Sequence, residues 1–167
     1  RAIVIVGGEK GTAYDGAFWT GTFELYDAIW PHMSTKLARA EALGFPWAPT
    51  THPFAWIEDG KTLAHAGVLL HPVRLAAEDR VIAGVHAVCS HPSARGRGLA
   101  RACMDAAVEW IDEQGLTAKL GTDLTDFYQR WDFRFVPNHH FVSPRSGRGG
   151  PARRMALDPS AGDAARV

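Results

Sequence analysis

The sequence lacks the features that mark several large classes of protein. Its 167 residues include only two cysteines, Cys89 and Cys103, so we expect no disulfide framework and predict a reducing, cytoplasmic location. Neither sign of charge is in excess, because 18 Lys and Arg residues balance 18 Asp and Glu residues. This balance argues against nucleic acid or an anionic membrane as the partner. No uninterrupted apolar run approaches the ~20 residues of a membrane span.

Common motifs for phosphates and metals are missing as well. The Walker sequence G-x-x-x-x-G-K-[ST] does not occur. The stretch GRGLAR at residues 96–101 has an arginine where a dinucleotide fingerprint needs its third glycine. Eight histidines are present, but they do not combine with cysteine or carboxylate residues at a spacing typical of a metal site. We therefore expect no bound metal.

Hydrophobic periodicity predicts one α+β domain. We expect strands over 2–6, 54–57, 63–70, 81–90, 117–121, 133–142 and 152–157, and helices over 16–30, 34–43, 99–114 and 125–131. At ~150 residues per domain the length fits a single domain, and neither a repeat nor a linker interrupts it. We assign the domain to residues 1–157 and a C-terminal tail to residues 158–167.

The strongest functional signal is a strand, a short turn and a helix between residues 81 and 114. Unpaired N–H groups at the start of such a helix, together with the helix dipole, favour an anion. Gly96 and Gly98 lack side chains, so a phosphate can approach the backbone closely. Three arginines bring positive charge to the same end: Arg95, Arg97 and Arg101. The pattern fits a pyrophosphate site, and its plainer alternative is a solvated basic turn.

Two motifs, one in this segment and one after it, resemble those of one family. Arg95-x-x-Gly98-x-Ala100 resembles the R/Q-x-x-G-x-G/A signature of the GNAT superfamily of acyl-CoA-dependent N-acyltransferases. Downstream, FYQRWDF at residues 127–133 is similar to that family's FY-x-x-x-G-F segment, with Asp132 in place of the glycine. Asp adopts the left-handed conformation more readily than most residues, so we expect the turn to survive. The order of elements also matches, and the resemblance covers nearly all of residues 1–157.

The resemblance implies a fold and a cofactor. The fold is α+β, with a mixed, mostly antiparallel twisted sheet that is flanked by helices and splayed between its fourth and fifth strands. Acetyl-CoA is the co-substrate and lies in that gap. Its pantetheine arm is bound by the backbone of Val88, Cys89 and Ser90. Its pyrophosphate is bound by backbone N–H groups over Arg95, Gly96, Arg97, Gly98, Leu99 and Ala100, with Arg101 beside them.

The implied reaction is transfer of an acetyl group to a primary amine by direct attack. A backbone N–H near Val88 is the candidate donor to the oxyanion of the tetrahedral intermediate. Tyr128 matches the tyrosine that serves many relatives as the general acid for the departing thiolate. The alternative for Tyr128 is a tyrosine that only bonds the cofactor sulfur or packs in a core.

For the general base we choose His86. The sequence VHAVCSH resembles the "HALAVH" strand of the arylalkylamine N-acetyltransferase branch, and strand alternation places His86 on one face with Gly84 and Val88. The alternative is a strand histidine whose hydrogen bonds are satisfied within the fold. Glu58, on the predicted hairpin, is the second candidate, although most carboxylates at such turns are solvated.

Other readings of the sequence stay open. Cys89 is a conceivable nucleophile, but a small buried residue is the favoured interpretation. Four tryptophans either line an apolar amine pocket or belong to the core: Trp19, Trp30, Trp47 and Trp56. The acceptor is a small-molecule or peptide amine, and a homodimer is possible. The alternative functions are a non-catalytic acyl-CoA-binding or regulatory module and, less favoured by the neutral charge, a nucleic-acid-binding domain.

Overall fold

One five-stranded sheet organises the part of the chain that the computed structural model describes, residues 3–137. The strands lie side by side in chain order: β1 (Ile3–Gly7), β2 (Thr51–Glu58), β3 (Lys61–Leu75), β4 (Glu78–Ser90) and β5 (Thr117–Lys119). The helices are α1 (Gly16–Ile29), α2 (Met33–Ala42), α3 (Leu99–Glu113) and α4 (Thr125–Tyr128). Neighbours from β1 to β4 are antiparallel, and β5 runs parallel to β4. The predicted fold class is confirmed.

These elements all lie in one compact unit, residues 1–134, and residues 135–167 form a second unit. The predicted strand over 152–157 and the predicted domain boundary at 157 lie outside the described residues. The predicted strand over 133–142 is wrong for residues 133–137, which form none. Instead, the ring of Phe133 packs edge-on against Tyr128.

Two tight turns connect the central strands. Asp59 and Gly60 join β2 to β3 with φ values of 50° and 76°. Ala76 and Ala77 join β3 to β4 with φ values of 49° and 67°. Positive φ at both central residues gives a turn whose twist matches that of the flanking strands. The predicted meander of three strands is therefore present, and β3 and β4 are each longer than the sequence pattern indicated.

Helix α3 covers one face of the sheet, which we call the apolar face. Leu99, Cys103, Ala107 and Ile111 recur at about helical spacing and are buried. They pack with Met104 against the side chains that β2, β3 and β4 direct to this side: Phe54, Ala64, Ala66, Val68, Ala83 and Val85. Gly115 follows the helix with a φ of 65°, as expected for a helix C-terminus.

Helix α1 covers the opposite side, which we call the histidine face after His65 and His86. Leu25 and Tyr26 are buried there at 1% exposure each. The hydroxyl of Tyr26 contacts the ring of His65. Asp15 caps α1 by accepting a hydrogen bond from the backbone N–H of Phe18. The sheet thus has one aliphatic face and one face that buries polar rings.

Strand β4 contains a bulge at the middle of the sheet. Gly67 pairs with His86, whereas His65 pairs with Cys89. The single residue of β3 between these pairs therefore faces two residues of β4, Ala87 and Val88. Ala87 adopts the left-handed conformation, with a φ of 48°.

The bulge changes which side chains share a face. Ala87 packs with Tyr26 and Cys89 on the histidine face, whereas Val88 packs on the apolar face. The predicted alternation, which placed Val88 with His86, is therefore wrong. One extra residue in the strand shifts the alternation of every residue that follows it.

Candidate active site

The turn from β4 into α3 presents open backbone. Gly96 and Gly98 both have a φ of 78°, and a Cβ on either glycine would meet no atom within 4 Å. Gly98 is the N-cap of α3 and offers no side-chain cap. The first helical hydrogen bond there runs from Ala102 N to Gly98 O, at 3.0 Å. The preceding N–H groups of the first turn are therefore available to an anion.

Arginine side chains surround this turn, and one of them is held in place. Arg95, Arg97 and Arg101 are exposed. Arg97 Nη2 donates to Glu58 Oε2 at 2.7 Å. The Glu58 side chain is only 12% exposed, which screens this pair from water better than an ordinary surface pair. Glu58 thus lies beside the basic turn.

The two candidates for the general base lie far apart. Glu58 is the last residue of β2, whereas Thr51, which contacts His86, is the first. At ~3.3 Å per residue these two ends of the strand are roughly 20 Å apart. The structure therefore does not bring Glu58 and His86 into one site.

The sheet opens beside the second half of β4. The parallel ladder joins Ile82, Ala83 and Gly84 to β5 and then stops. Strand β4 continues to Ser90 with no further β5 pair among the described residues. This is the predicted splay between the fourth and fifth strands, and it leaves the backbone at residues 85–90 unpaired with β5.

Tyr128 lies at the end of α4, buried to 9% exposure. Burial is the main cause that raises the pKa of its hydroxyl, and the nearby Cys89 adds to the effect. Its ring packs edge-on against Phe127 and Phe133. Asp132 adopts a φ of 57°, so the expected left-handed turn survives the replacement of glycine. Tyr128 is therefore a protonated hydroxyl near Cys89 of β4.

Cys89 has the properties of a core residue. It is buried and free, as is Cys103. Burial, with a further contribution from Cys103, raises the pKa of the Cys89 thiol to about 12. A thiol with such a pKa carries almost no thiolate at pH 7. These properties favour the interpretation of Cys89 as a small buried residue.

His86 is enclosed on the histidine face. Its Nε2 lies 2.7 Å from Thr51 Oγ1, and its ring meets Trp47 edge-on at a centroid distance of 4.6 Å. Gly67 lies directly under the ring, where a Cβ would overlap both Cε1 and Nε2 of His86. A glycine is required at this position because the imidazole occupies the space of a side chain.

The His86 imidazole is neutral at pH 7 and has one unused nitrogen. Burial is the main cause that lowers the pKa of His86 to about 3, with smaller effects from His65 and His71. Its Nδ1 is buried without a hydrogen-bond partner. An unprotonated Nδ1 costs less than a buried N–H without an acceptor, so Nε2 carries the proton toward Thr51 and Nδ1 keeps its lone pair.

The four tryptophans do not form one pocket. Trp47 contacts His86, while Trp19 is buried and donates its Nε1–H to Gly11 O at 3.0 Å. Trp30 packs on the histidine face and Trp56 on the apolar face. Only Trp47 is therefore placed beside a candidate catalytic residue.

Sequence reasoning missed three residues of the histidine face. Thr51 precedes the predicted strand over 54–57, and the sequence indicates no role for Tyr26 or His65. His65 Nδ1 lies 3.0 Å from Ala87 O at the bulge. Tyr26 and His65 are 39 positions apart, so only the fold brings them together.

Two further properties of residues 3–137 bear on function. No helix in this range is long and apolar enough to cross a membrane. The same range contains no group of three or more His, Cys, Asp or Glu side chains arranged to hold a metal ion.

Comparison with known proteins identifies the family to which this fold belongs. The model of the acetyltransferase (GNAT) family matches residues 19–133. The chain belongs to the GNAT family. This match covers both sequence motifs, the bulged strand and the splay. No curated protein matches this chain at a significant level.

Solved structures show the same fold at low identity. An acetyltransferase of Trypanosoma brucei has a TM-score of 0.62 and 16% identity, over 86% of this chain and 100% of that one. The enzyme AAC(6')-Iy, in complex with a CoA-linked acetylneamine bisubstrate analogue, has a TM-score of 0.64 and 16% identity, over 87% and 99%. Glucosamine-6-phosphate N-acetyltransferase of Arabidopsis thaliana has a TM-score of 0.60 and 13% identity, over 86% and 99%.

Proposed function

We propose that this chain transfers an acetyl group from acetyl-CoA to a primary amine. The observation that carries the proposal is the open helix start at Gly98 beside a strand that has lost its parallel neighbour. In this proposal the pyrophosphate binds the backbone N–H groups of residues 95–100, and Arg101 adds charge. The pantetheine then follows the backbone of Val88, Cys89 and Ser90 toward the bulge.

Three side chains support direct attack rather than an acetyl-enzyme. The high pKa of the Cys89 thiol makes it a poor nucleophile. His86, in our proposal, accepts the proton of the attacking amine at Nδ1 through a water molecule, since its neutral imidazole holds the lone pair there and the atom itself is buried. Tyr128 donates its proton to the departing CoA thiolate, and the raised pKa of its hydroxyl keeps that proton present at neutral pH.

The contact between Glu58 and Arg97 supports a different role for Glu58 from the one first considered. Glu58 holds an arginine of the pyrophosphate turn and lies about seven strand residues from Thr51, at the other end of β2. We propose that it orients this turn, and that His86 is the base. The cytoplasmic location and a homodimer stay predictions.

For the acceptor we propose a small-molecule or peptide amine. Of the similar structures, one holds a CoA-linked acetylneamine bisubstrate analogue and another is named glucosamine-6-phosphate N-acetyltransferase. Trp47 against His86 provides an aromatic surface next to the proposed base, and such a surface suits an apolar or aromatic amine.

The test is a thiol-release assay with acetyl-CoA and a panel of amines: arylalkylamines, aminoglycosides, amino acids, polyamines and peptides. We expect amine-dependent release of CoA, and the N-acetyl product in a mass spectrum. CoA binding without release for any amine would contradict the proposal and favour the non-catalytic acyl-CoA-binding module. Absence of CoA binding would remove both.

A further inference from the structure

A buried polar chain on the histidine face ends at the bulge of β4. His65 is fully buried and Tyr26 is 1% exposed. His65 Nδ1 lies 3.0 Å from Ala87 O. The Tyr26 hydroxyl lies 3.1 Å from His65 Nε2 and 3.2 Å from Nδ1. These contacts link α1, β3 and β4 through polar groups rather than through aliphatic packing.

The chemistry of the carbonyl sets the direction of the bonds. A carbonyl oxygen only accepts, so His65 Nδ1 must carry the proton that it donates to Ala87 O. Burial lowers the pKa of His65 to about 4, so the ring is neutral at pH 7 and Nε2 is its acceptor. The Tyr26 hydroxyl then donates to Nε2.

The bonded carbonyl belongs to a strained part of the backbone. Ala87 has a φ of 48°, a conformation that costs a non-glycine residue roughly 1–2 kcal/mol. Such a conformation persists only where the surroundings hold it. The hydrogen bond from His65 to Ala87 O is one such restraint, and it acts on the bulge residue itself.

The same restraint sets the direction of the next amide. Ala87 C=O and Val88 N–H belong to one planar trans peptide group, in which they point in opposite directions. Because Ala87 O is held toward His65, the Val88 N–H is held pointing away from it. That N–H is the proposed donor to the oxyanion, and an oxyanion donor contributes only when its direction is fixed beforehand.

We propose that His65 and Tyr26 are positioning residues, which hold the Ala87–Val88 peptide so that Val88 N–H faces the acetyl carbonyl. The proposal rests on the proposed function, since it assigns these two residues to the oxyanion donor of that reaction. In this proposal neither His65 nor Tyr26 touches the substrate.

The test compares two amides at position 65. In His65→Asn the side-chain NH₂ reaches the position of Nδ1, whereas in His65→Gln it reaches that of Nε2. Both variants bury an amide in the same cavity, but only His65→Asn can restore the bond to Ala87 O. His52→Gln is the matched control, because His52 is also buried and its Nδ1 lies 2.9 Å from a backbone carbonyl, that of Gly8.

We expect the loss to appear in kcat. His65→Gln should lower kcat at least about 10-fold, a fraction of the ~100-fold or more lost with a whole oxyanion donor, with KM for acetyl-CoA changed less than about 3-fold. His65→Asn should recover most of kcat, Tyr26→Phe should lose about 3- to 10-fold, and His52→Gln should keep the wild-type kcat. Equal kcat for the Asn and Gln variants, or a loss in KM alone, would overturn the proposal.

The amide resonance of Val88 is a second readout. It requires no turnover, and it can be measured in whichever of the variants folds. In the amide NMR spectrum of the free chain, the Val88 resonance should stay near its wild-type position in His65→Asn and shift clearly in His65→Gln and Tyr26→Phe. An unchanged Val88 resonance in folded His65→Gln or folded Tyr26→Phe would overturn the proposal. If no amine is acetylated by the wild type, the proposed function fails, while the Val88 resonances still decide whether His65 holds the bulge.

Discussion

The two faces of the sheet differ in what they bury. The apolar face buries aliphatic and small side chains against α3, such as Val68 and Met104 at 0% exposure. The histidine face buries polar ones, including Thr22, His65 and Tyr26 at 1% exposure or less. Both faces exclude water equally well, so the difference lies in chemistry rather than in packing.

The two faces therefore contribute differently to the stability of the fold. Burying an aliphatic side chain stabilises the fold by about 1.5–3 kcal/mol, whereas a buried polar atom without a partner destabilises it by about 1–3 kcal/mol. Among the described residues, three such atoms lie on the histidine face, Thr22 Oγ1, Trp47 Nε1 and His86 Nδ1, and one, Trp56 Nε1, lies on the apolar face. We infer that this face trades stability for the groups that hold and use the bulge.

We expect the largest effect from a substitution at Gly98, the N-cap of α3. Gly98→Glu should weaken CoA binding at least about 100-fold, because a carboxylate near a phosphate costs about 4 kcal/mol at an effective dielectric constant of 20. Calorimetric titration with CoA measures the affinity.

Gly115→Glu is the matched control for that variant. Both glycines have positive φ and open surroundings, so both substitutions carry similar backbone strain of about 1–2 kcal/mol. Only Gly98 lies at the helix N-terminus. Equal weakening of CoA binding by the two variants would show that strain, and not a phosphate site, explains the loss.

The next effect concerns the hydroxyl of Tyr128, whose ring belongs to the apolar face. Tyr128→Phe should lower kcat about 100-fold, the lower range of general acid catalysis, and leave the affinity for acetyl-CoA within about 3-fold. Tyr14→Phe, at a stacked tyrosine of the α1 region, should leave both constants unchanged. An unchanged kcat in Tyr128→Phe would remove the general acid from the mechanism.

A smaller effect is expected from substitutions at two adjacent residues of β3, Gly67 on the histidine face and Val68 on the apolar face. Gly67→Ala places a methyl group where the His86 ring lies and should lower kcat about 10-fold by displacing the base. Val68→Ala on the apolar face should lower the free energy of unfolding by about 2 kcal/mol and leave kcat unchanged. Denaturant unfolding and the thiol-release assay, run on both variants, measure the two quantities. If Gly67→Ala is fully active, His86 is not the base.

The last effect is a dependence of the free energy of unfolding on pH. The pKa values of His65 and His86 in the folded chain, about 4 and about 3, lie below the ordinary 6.5. At a pH between these lowered pKa values and 6.5, the unfolded chain therefore binds more protons than the folded chain. The free energy of unfolding then falls as the pH drops from about 6.5 toward 4.

One of these histidines can be removed to measure its share. His86→Gln should reduce the slope of the unfolding free energy against pH by about 1.4 kcal/mol per pH unit between pH 4 and 6. Denaturant unfolding at several pH values gives this slope. A slope identical to that of the wild type would mean that folding does not lower the pKa of His86.

The fold could be predicted from the sequence where local patterns decide it. The apolar spacing of Leu99, Cys103, Ala106 and Trp110 predicts α3, and the structure buries the first two and partly buries the others. Asp59-Gly60 predicts its turn because these residues accept positive φ. Asp132 preserves the family turn for the same reason.

The bulge could not be predicted, because its left-handed residue is an alanine. Ala87 has no preference for positive φ, and it is held there by a contact with His65 from another strand. The pair of Glu58 and Arg97 is likewise 39 positions apart. The sequence motifs therefore locate the turn from β4 into α3, whereas the neighbours of His86 and of the bulge depend on the tertiary structure.

An amide NMR titration of the isotope-labelled chain with CoA tests most directly whether CoA binds along β4 and at the turn into α3. We expect the largest shifts at residues 88–90 and 95–101, and we expect them to saturate together, because one CoA molecule contacts both segments. Saturating shifts that leave residues 95–101 unmoved, or no shifts at all, would contradict this expectation.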